Sequence, residues 1–479
     1  MQKEFISNLV LLVLANLLIK PFYIFGIDRT VQNLVGPEDY GLYFALFNFA
    51  LIFQIVTDLG LQNYNNRSVS QYPDIRHDQF PSILVVKTIF AIVFLGIIWI
   101  AARILKYEGV ALDLLFWIGV NTVLVSMILY LRTNISGLGR YRLDSLFSIL
   151  DKVLMILIIG GWLLTKEDFR IQHFVIGQTL ALMISAIIVG SVVFILSRPL
   201  IWRKQISFHL GIIRESLPYA LVVLFMTIYT RIDGVMLERI LEDGSYQAGV
   251  YASGYRFFDA ANMFGFLIAG LLLPMFSKLL ARKQNIFPLY HLSMRCVWLL
   301  VVFIASMCYV FKSELVHLLY VNATEYWGEV LGILMVSFVF VSIGYILGSL
   351  LTAQGSIYKL NWIFLIAIIL NVGLNLLLIH QFKAYGAALA TLFTQGFVVL
   401  AQLFYVNRTL DFSLYTYPVK EMIFSGLTIV LLIVTLRHIT QTWAGIISGS
   451  FIIGIMILAY LYLQIKSSLT KDLINLTNE

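Results

Sequence analysis

The stretch Phe80–Ala102, FPSILVVKTIFAIVFLGIIWIAA, contains a single charged residue, Lys87. A helix needs about 20 apolar residues to cross the ~30 Å hydrocarbon core of a bilayer, and this stretch is long enough to do so. Similar apolar stretches follow one another along the whole chain, separated by short polar loops. We therefore predict an all-α polytopic membrane protein, in which the few intramembrane charges mark the functional site.

The composition is that of a membrane protein. Apolar residues make up 60% of the 479 and charged residues 12%, against ~45–50% and ~25% in soluble domains. The net charge of +7 is dispersed among the loops, so no nucleic-acid partner is expected. Cys296 and Cys308 fall in one apolar helix and are interpreted as core residues. No spacing of Cys and His suits a metal, and we expect no cofactor.

Apolar runs predict about 14 transmembrane helices. The first run, Phe5–Ile19, has the hydropathy of a signal peptide, but Lys20-Pro21 and more apolar sequence follow it in place of a cleavage site. We therefore expect this run to be retained as helix 1. The predicted spans are 6–32, 39–62, 80–102, 111–131, 144–164, 171–197, 214–240, 247–273, 289–311, 326–350, 358–380, 384–407, 417–437 and 443–465.

The loops differ in their content of Lys and Arg. One set, which includes both chain ends, carries about twice as many as the other, and such loops face the cytoplasm. Both termini are therefore predicted to be cytoplasmic, which agrees with an even number of helices.

Two short motifs occur twice. Gly41-Leu-Tyr43 at the start of helix 2 matches Gly249-Val-Tyr251 at the start of helix 8, and Ile27-Asp28 matches Ile232-Asp233. Six predicted helices separate the copies, so both copies face the same way, as parallel repeats do. Chance matches in a chain rich in Gly and Tyr are the alternative. The predicted organisation is one lobe over residues 1–200, a second over 201–410, and two further helices over 411–479.

Charges inside the predicted helices cost ~3 kcal/mol each near the bilayer centre, so they usually face a bundle interior or a wet cavity. They concentrate in helices 1, 2, 7 and 8, which the repeat pairs with one another, and this favours a central cavity. The intramembrane charges are Lys20, Asp28, Arg29, Asp58, Lys87, Asp151, Lys152, Arg231, Asp233, Arg256 and Asp259.

The charges of helices 7 and 8 have structural as well as functional interpretations. Arg256 and Asp259 lie three residues apart on one helix face and can neutralise each other. Arg231 and Asp233 point in different directions on a helix, so at least one of them needs a partner elsewhere.

The charges of helices 2, 3 and 5 lie nearer the predicted cytoplasmic surface. We expect Asp58 to lie at a solvated helix end and Lys87 to extend its ammonium to the interface. The stripe of Asp144, Ser148 and Asp151 lines either a vestibule open to the cytoplasm or the interior of a lobe.

Several ordered motifs resemble one family. Gly36-Pro-Glu-Asp-Tyr-Gly41-Leu-Tyr43, Asp58-Leu-Gly-Leu-Gln62 and Arg231-Ile-Asp233-Gly-Val-Met-Leu237 look like those of polysaccharide-biosynthesis flippases. Gly249-Val-Tyr251 through Arg256, and Asn371-x-x-x-Asn375 with Gly386-Ala-Ala-Leu-Ala-Thr391, fit as well. Over nearly its whole length the chain resembles the Wzx-type O-antigen and capsule repeat-unit flippases of the multidrug/oligosaccharidyl-lipid/polysaccharide exporter superfamily.

The resemblance implies two six-helix lobes around a central cavity, plus two C-terminal helices. It implies transport of undecaprenyl-diphosphate-linked oligosaccharide from the cytoplasmic to the periplasmic leaflet of a bacterial inner membrane, for O-antigen, capsule or exopolysaccharide. Polymerase and chain-length proteins of the same pathway are the expected partners. The candidate residues for binding diphosphate and sugar are Lys20, Arg29, Arg231 and Arg256, and those for coupling or ion pairing are Asp28, Asp58, Asp233 and Asp259.

Two other functions compete with this one. A drug or organic-cation antiporter of the same superfamily is expected to line its cavity mainly with carboxylates, whereas bases are at least as frequent here. A membrane polymerase, ligase or lipid-dependent glycosyltransferase is expected to carry a sizeable external loop with Arg, His or carboxylates. The external loops of this chain are short, so we predict a transporter working by alternating access and not an enzyme.

Overall fold

The computed structural model describes Asn16 and residues 18–71, 76–165, 167–200, 206–410, 419–440 and 442–477. Within these ranges all regular structure is helical. A π-helical stretch, Tyr23–Asp28, leads into the first α-helix. The α-helices are α1 Arg29–Phe53, α2 Leu61–Gln71, α3 Arg76–Ile104, α4 Val110–Gly137, α5 Tyr141–Thr165, α6 Ile171–Leu196, α7 Ile206–Ile240, α8 Gly244–Ala281, α9 Phe287–Val310, α10 Lys312–Leu319, α11 Glu325–Ala353, α12 Ile357–Leu410, α13 Val419–Ile439 and α14 Trp443–Thr477.

Among the described residues, twelve helical segments are long and apolar enough to cross a membrane. Two of them contain a residue with non-helical backbone, Gly36 in α1 and Lys383 in α12. Gly36 has a φ of 84°, which glycine adopts without strain, and Pro37 then starts a new helix. Divided at these breaks, the twelve segments become fourteen helices, in agreement with the sequence. Residues 6–15 of the first predicted helix lie outside the described part of the chain.

The chain forms two compact units, Met1–Ala252 and Ser253–Glu479. In the first unit α7 packs on α1, where Gly234 lies against Phe44 and Asn48. Since α7 belongs to the second predicted lobe, this unit extends past the predicted lobe boundary at residue 200. The division at 200 and 410 stays a prediction.

The two copies of the repeated motif meet within the first unit. A Cβ atom on Gly41 would overlap the carbonyl oxygen of Ser245, and one on Gly249 would overlap that of Pro37. The Gln32 amide donates a hydrogen bond of 2.9 Å to the Gly249 carbonyl. Only glycine at both positions allows the backbones of α1 and α8 to approach this closely.

In the second unit, small residues also set the helix packing. Gly344 and Gly348 of α11 lie beside the Gln402 side chain of α12. Gly449 of α14 lies against Leu436 of α13, at a distance that leaves no room for a Cβ atom. Small residues therefore allow close helix packing in this unit.

Candidate substrate site and intramembrane ion pairs

Three cations of the first unit lie near one another. Lys20, at the start of the first span, interacts electrostatically with Asp151, Lys152 and Arg132. Asp151 and Lys152 lie near the middle of α5, and Arg132 lies near the end of α4. We call Lys20, Arg132 and Lys152 the cationic cluster.

The three cations of the cationic cluster are accompanied by two carboxylates. The Arg132 Nε donates to Asp144 at 2.8 Å, and the Lys152 ammonium lies 3.4 Å from Asp151. Two carboxylates against three cations leave one net positive charge. These four side chains are 17% to 25% exposed, so they are neither in the core nor fully on the surface. A partly desolvated site of this kind can bind an anion through charge-assisted hydrogen bonds.

The polar stripe of α5 positions this cluster. Ser148 accepts a hydrogen bond of 3.0 Å from Asn16 Nδ2, which joins α5 to the first span. The Lys152 ammonium lies 4.8 Å from the centre of the Tyr23 ring, at a cation–π distance. The stripe therefore faces the segment that carries Lys20, as expected for residues lining a shared interior.

Asp28 and Asp233, the repeat-related carboxylates, are both buried in the first unit. Asp233 accepts a hydrogen bond of 2.9 Å from the Tyr251 hydroxyl of the neighbouring repeat motif. The Nε of Arg29 donates to the Phe25 carbonyl one turn earlier, at 3.2 Å. Arg231 is half-buried on α7. The structure thus places all four within the membrane-spanning part, and their roles in binding or coupling remain predictions.

Arg256 belongs to the second unit, where it is buried and lies 3.7 Å from Asp259. The pairing of these two residues on one helix face is as the sequence indicates. Such a pair neutralises much of the charge of each partner. A direct role of Arg256 in binding substrate remains a prediction.

Lys87 differs from expectation, because it is buried and forms an ion pair with the half-buried Asp58. The Lys87 side chain is 1% exposed and its ammonium lies 2.8 Å from Asp58. It also donates to the Thr57 carbonyl and the Ser126 hydroxyl, at 3.1 Å and 2.9 Å. Lys87 therefore does not reach the interface, whereas Asp58 does lie at a helix end, where its side chain is half-buried.

A helix break explains this ion pair. The backbone turns at Leu59 and Gly60, which both have positive φ, so the carbonyl groups before the break lose their helical partners. Lys87 satisfies one of them, at Thr57. The second carboxylate oxygen of Asp58 accepts from the Gly60 and Gln62 backbone amides and so caps α2.

Arg132 is the member of the cluster that sequence reasoning missed. The predicted span 111–131 ends just before Arg132, whereas Arg132 lies within α4 and donates to Asp144. The short connection between α4 and α5 could have indicated this contact. In two helices joined by a tight turn, a residue before the turn lies beside one at a similar distance after it. No group of three or more His, Cys, Asp or Glu side chains suited to a metal occurs in the described ranges.

These features define a polytopic membrane protein with a charged interior, and comparison places it in a family. The model of the polysaccharide biosynthesis protein family matches residues 6–280. This match covers more than half of the chain, which therefore belongs to that family. An uncharacterised membrane protein of Methanocaldococcus jannaschii is 27% identical over 205 residues, or 42% of this chain and 47% of the archaeal protein. The chain thus matches about half the length of this curated relative.

Solved structures share the fold. The lipid II flippase MurJ in an inward closed conformation has a TM-score of 0.66 and 15% identity, over 97% of this chain and 100% of its own. An inward-facing multidrug resistance MATE family transporter of the MOP superfamily has a TM-score of 0.65 and 14% identity, over 85% and 99%. A MOP superfamily transporter from Pyrococcus furiosus has a TM-score of 0.56 and 14% identity, over 85% and 94%. The chain thus has the fold of MOP superfamily transporters.

Proposed function

We propose that this protein is a flippase that moves undecaprenyl-diphosphate-linked oligosaccharide from the cytoplasmic to the periplasmic leaflet. The cationic cluster is the observation that carries the proposal. It holds three cations against two carboxylates inside the membrane-spanning part of a polysaccharide biosynthesis protein. A diphosphate linkage is the anionic part of such a cargo, whereas a neutral or cationic substrate would not require this excess of positive charge.

The physical chemistry of the cargo fits the cluster. A diphosphate diester carries about two negative charges, and guanidinium groups bind such groups through paired hydrogen bonds. Arg132 contacts Asp144 through Nε, so its terminal amino groups can turn to a phosphate. Lys20 and Lys152 supply further point charges beside it.

The transport cycle follows from this assignment. The two lobes rock about a central cavity in the inner membrane, with both termini in the cytoplasm. The lipid diphosphate enters from the cytoplasmic leaflet to the cationic cluster, and Arg29, Arg231 and Arg256 complete its route. Asp28, Asp233 and Asp259 are the candidates for binding a coupling proton or cation. Polymerase and chain-length proteins then use the exported repeat unit for a surface polysaccharide.

A drug or organic-cation antiporter is the second candidate, because multidrug transporters share the fold. The excess of cations in the cluster disfavours it. An enzyme such as a polymerase or ligase is less favoured still, since the solved structures that share the fold are a flippase and transporters.

Deletion of the gene in its native host tests the proposal. The amount and mass of the lipid-linked oligosaccharide, and the leaflet in which it lies, are measured with and without complementation. Accumulation on the cytoplasmic leaflet and loss of surface glycan are expected. Normal lipid-linked sugar and normal surface glycan, in a host without a redundant flippase, would support the antiporter. Single repeats accumulating on the periplasmic leaflet would indicate a polymerase or ligase.

A further inference from the structure

A second charged cluster of the first unit joins the loop between α3 and α4 to the end of α7. The Tyr107 hydroxyl donates to Glu238 at 2.7 Å. Arg239 binds the same carboxylate through Nε and a terminal amino group, each at 2.7 Å. A third nitrogen of Arg239 donates to the Leu105 carbonyl at 2.8 Å. We call Tyr107, Glu238 and Arg239 the outer cluster, because the Lys and Arg content of the loops predicts that this end of the unit faces away from the cytoplasm.

The side chains of the outer cluster are closely packed and partly shielded from solvent. The Arg239 guanidinium lies 3.9 Å from the centre of the Tyr107 ring. The Glu238 side chain is 5% exposed, while that of Arg239 is 32% exposed. Burial raises the pKa of Tyr107 above its ordinary value, which keeps the hydroxyl protonated as a donor. The Arg239 head group therefore has access to water, whereas the bonds behind it are shielded.

The outer cluster differs from contacts within one repeat, because it joins residues of both predicted repeats. Tyr107 lies in the first predicted repeat, and Glu238 and Arg239 lie in the second. The Lys87–Asp58 pair, by contrast, lies wholly within the first repeat and caps its own helix ends. The outer cluster is thus one of the contacts that must separate if the two repeats move apart on this side.

The repeat contact described above lies between the same two parts of the chain. Gly41 and Gly249 approach with no space for a side chain, and Gln32 bonds to the Gly249 carbonyl. This contact is made by backbone and small residues, which fit closely together. The outer cluster adds polar bonds between the repeats, from Tyr107 to Glu238 and from Arg239 to the Leu105 carbonyl.

We propose that the outer cluster is a latch that holds the first unit closed on its outer side and that opens once in each transport cycle. The proposal rests on the proposed transport function, of which it names a moving part. Opening exchanges the bonds of Glu238 to Tyr107 and of Arg239 to Leu105 for bonds to water. Glu238 and Arg239 are adjacent and stay paired with each other on α7, so no unpaired charge is created during opening.

Spin-label distance measurements test the latch without any cargo. Exposed Glu108 and Glu242 flank the cluster and are replaced by labelled cysteines, with Cys296→Ala and Cys308→Ala as background. In purified full-length protein in nanodiscs, the parent should show one short distance. Tyr107→Phe and Glu238→Gln should each shift the distribution to longer distances, with the larger shift for Glu238→Gln.

Asp168→Asn is the matched control, since Asp168 forms an exposed ion pair with Arg170 in another predicted outer loop. It should leave the distribution unchanged. An unchanged distribution in both latch variants, each monodisperse in size-exclusion chromatography, would overturn the proposal. If Glu238→Gln fails to fold, the distance distribution of Tyr107→Phe alone decides the test. A clear shift together with a negative result for lipid-linked sugar would retain the latch and reject the cargo.

Discussion

At the scale of single residues, burial and pairing decide what a charge does in this protein. Lys87 and Lys20 look alike in the sequence, as isolated lysines in apolar runs. Lys87 is completely buried and makes three hydrogen bonds at a helix break. Lys20 makes no hydrogen bond among the described residues and interacts only electrostatically. The first is therefore structural, whereas a role of the second in binding a ligand remains a proposal.

Replacement of Lys87 by Met should lower the free energy of unfolding by about 1–3 kcal/mol, because the half-buried Asp58 carboxylate would lose its cation. Unfolding in mixed micelles by titration with a denaturing detergent measures this. The double variant Lys87→Met/Asp58→Asn should recover most of the loss, since Asn still caps α2. Arg170→Met, which removes an exposed ion pair, should have no measurable effect. A fully stable Lys87→Met protein would show that the pair contributes nothing.

Replacement of Arg132 by Gln should slow translocation of the lipid-linked sugar roughly 10- to 100-fold, since a hydrogen bond to a charged group contributes ~1.5–3 kcal/mol. Initial rates in proteoliposomes, at equal reconstituted protein, give the comparison. Arg132→Lys should retain part of the activity, because it keeps the charge but not the paired hydrogen bonds. Arg170→Gln is the control. Wild-type rates for Arg132→Gln would remove this residue from the site.

The sequence identified some of these residues and missed others for physical reasons. Lys20 stands out because an apolar run surrounds it. Arg132 does not, because a base near a helix end looks the same whether it faces a loop or an interior. The Lys87–Asp58 pair could not be predicted, since it depends on a helix break at Leu59 and Gly60 that no apolar pattern reveals.

At the scale of elements, the apolar runs predict the membrane helices well and the polar helices poorly. The spans follow from length and hydropathy, which a bilayer constrains strongly. The short helices α2 and α10 were not predicted, because they carry no long apolar run. The breaks at Gly36 and Lys383 divide the continuous segments close to the predicted loops.

The Gly41→Ala substitution should prevent the close approach of α1 to α8, because its Cβ atom would overlap the Ser245 carbonyl oxygen. We expect the distance between labels at Glu108 and Glu242 to increase. Gly96→Ala in α3 is the matched control, since a Cβ atom there meets nothing within 4 Å. It should leave the distance unchanged and stabilise the helix by up to ~1 kcal/mol. An unaltered distance in Gly41→Ala would show that α1 and α8 need not touch for closure.

At the scale of the whole molecule, the negative charge of the proposed cargo would couple its transport to the membrane potential. Moving one negative charge outward is favoured by ~2.3 kcal/mol per 100 mV when the cytoplasm is negative. A diphosphate carries about two such charges, so the potential alone supplies a substantial driving force.

Translocation in proteoliposomes should therefore speed up when a potassium gradient makes the cytoplasmic side negative, and slow down when the sign is reversed. The measurement is the amount of lipid-linked sugar reaching the opposite leaflet at a fixed pH and sodium concentration. Vesicles without protein provide the background. A rate that is independent of the potential but depends on a proton or sodium gradient would contradict this prediction. It would indicate that ion binding to a carboxylate such as Asp28 or Asp233 drives the cycle.

The meeting of Gly41 with the segment around Gly249 has a consequence for the evolution of the chain. If the two motifs arose by duplication, each glycine now forms part of the surface against which its own copy packs. Elsewhere the two copies could diverge freely. At this contact they could not, because a larger residue in place of either glycine would displace the backbone of the other copy. This contact should therefore be among the slowest positions of the gene to change, and homologues that lose one glycine should show a compensating deletion or shift in the opposite copy.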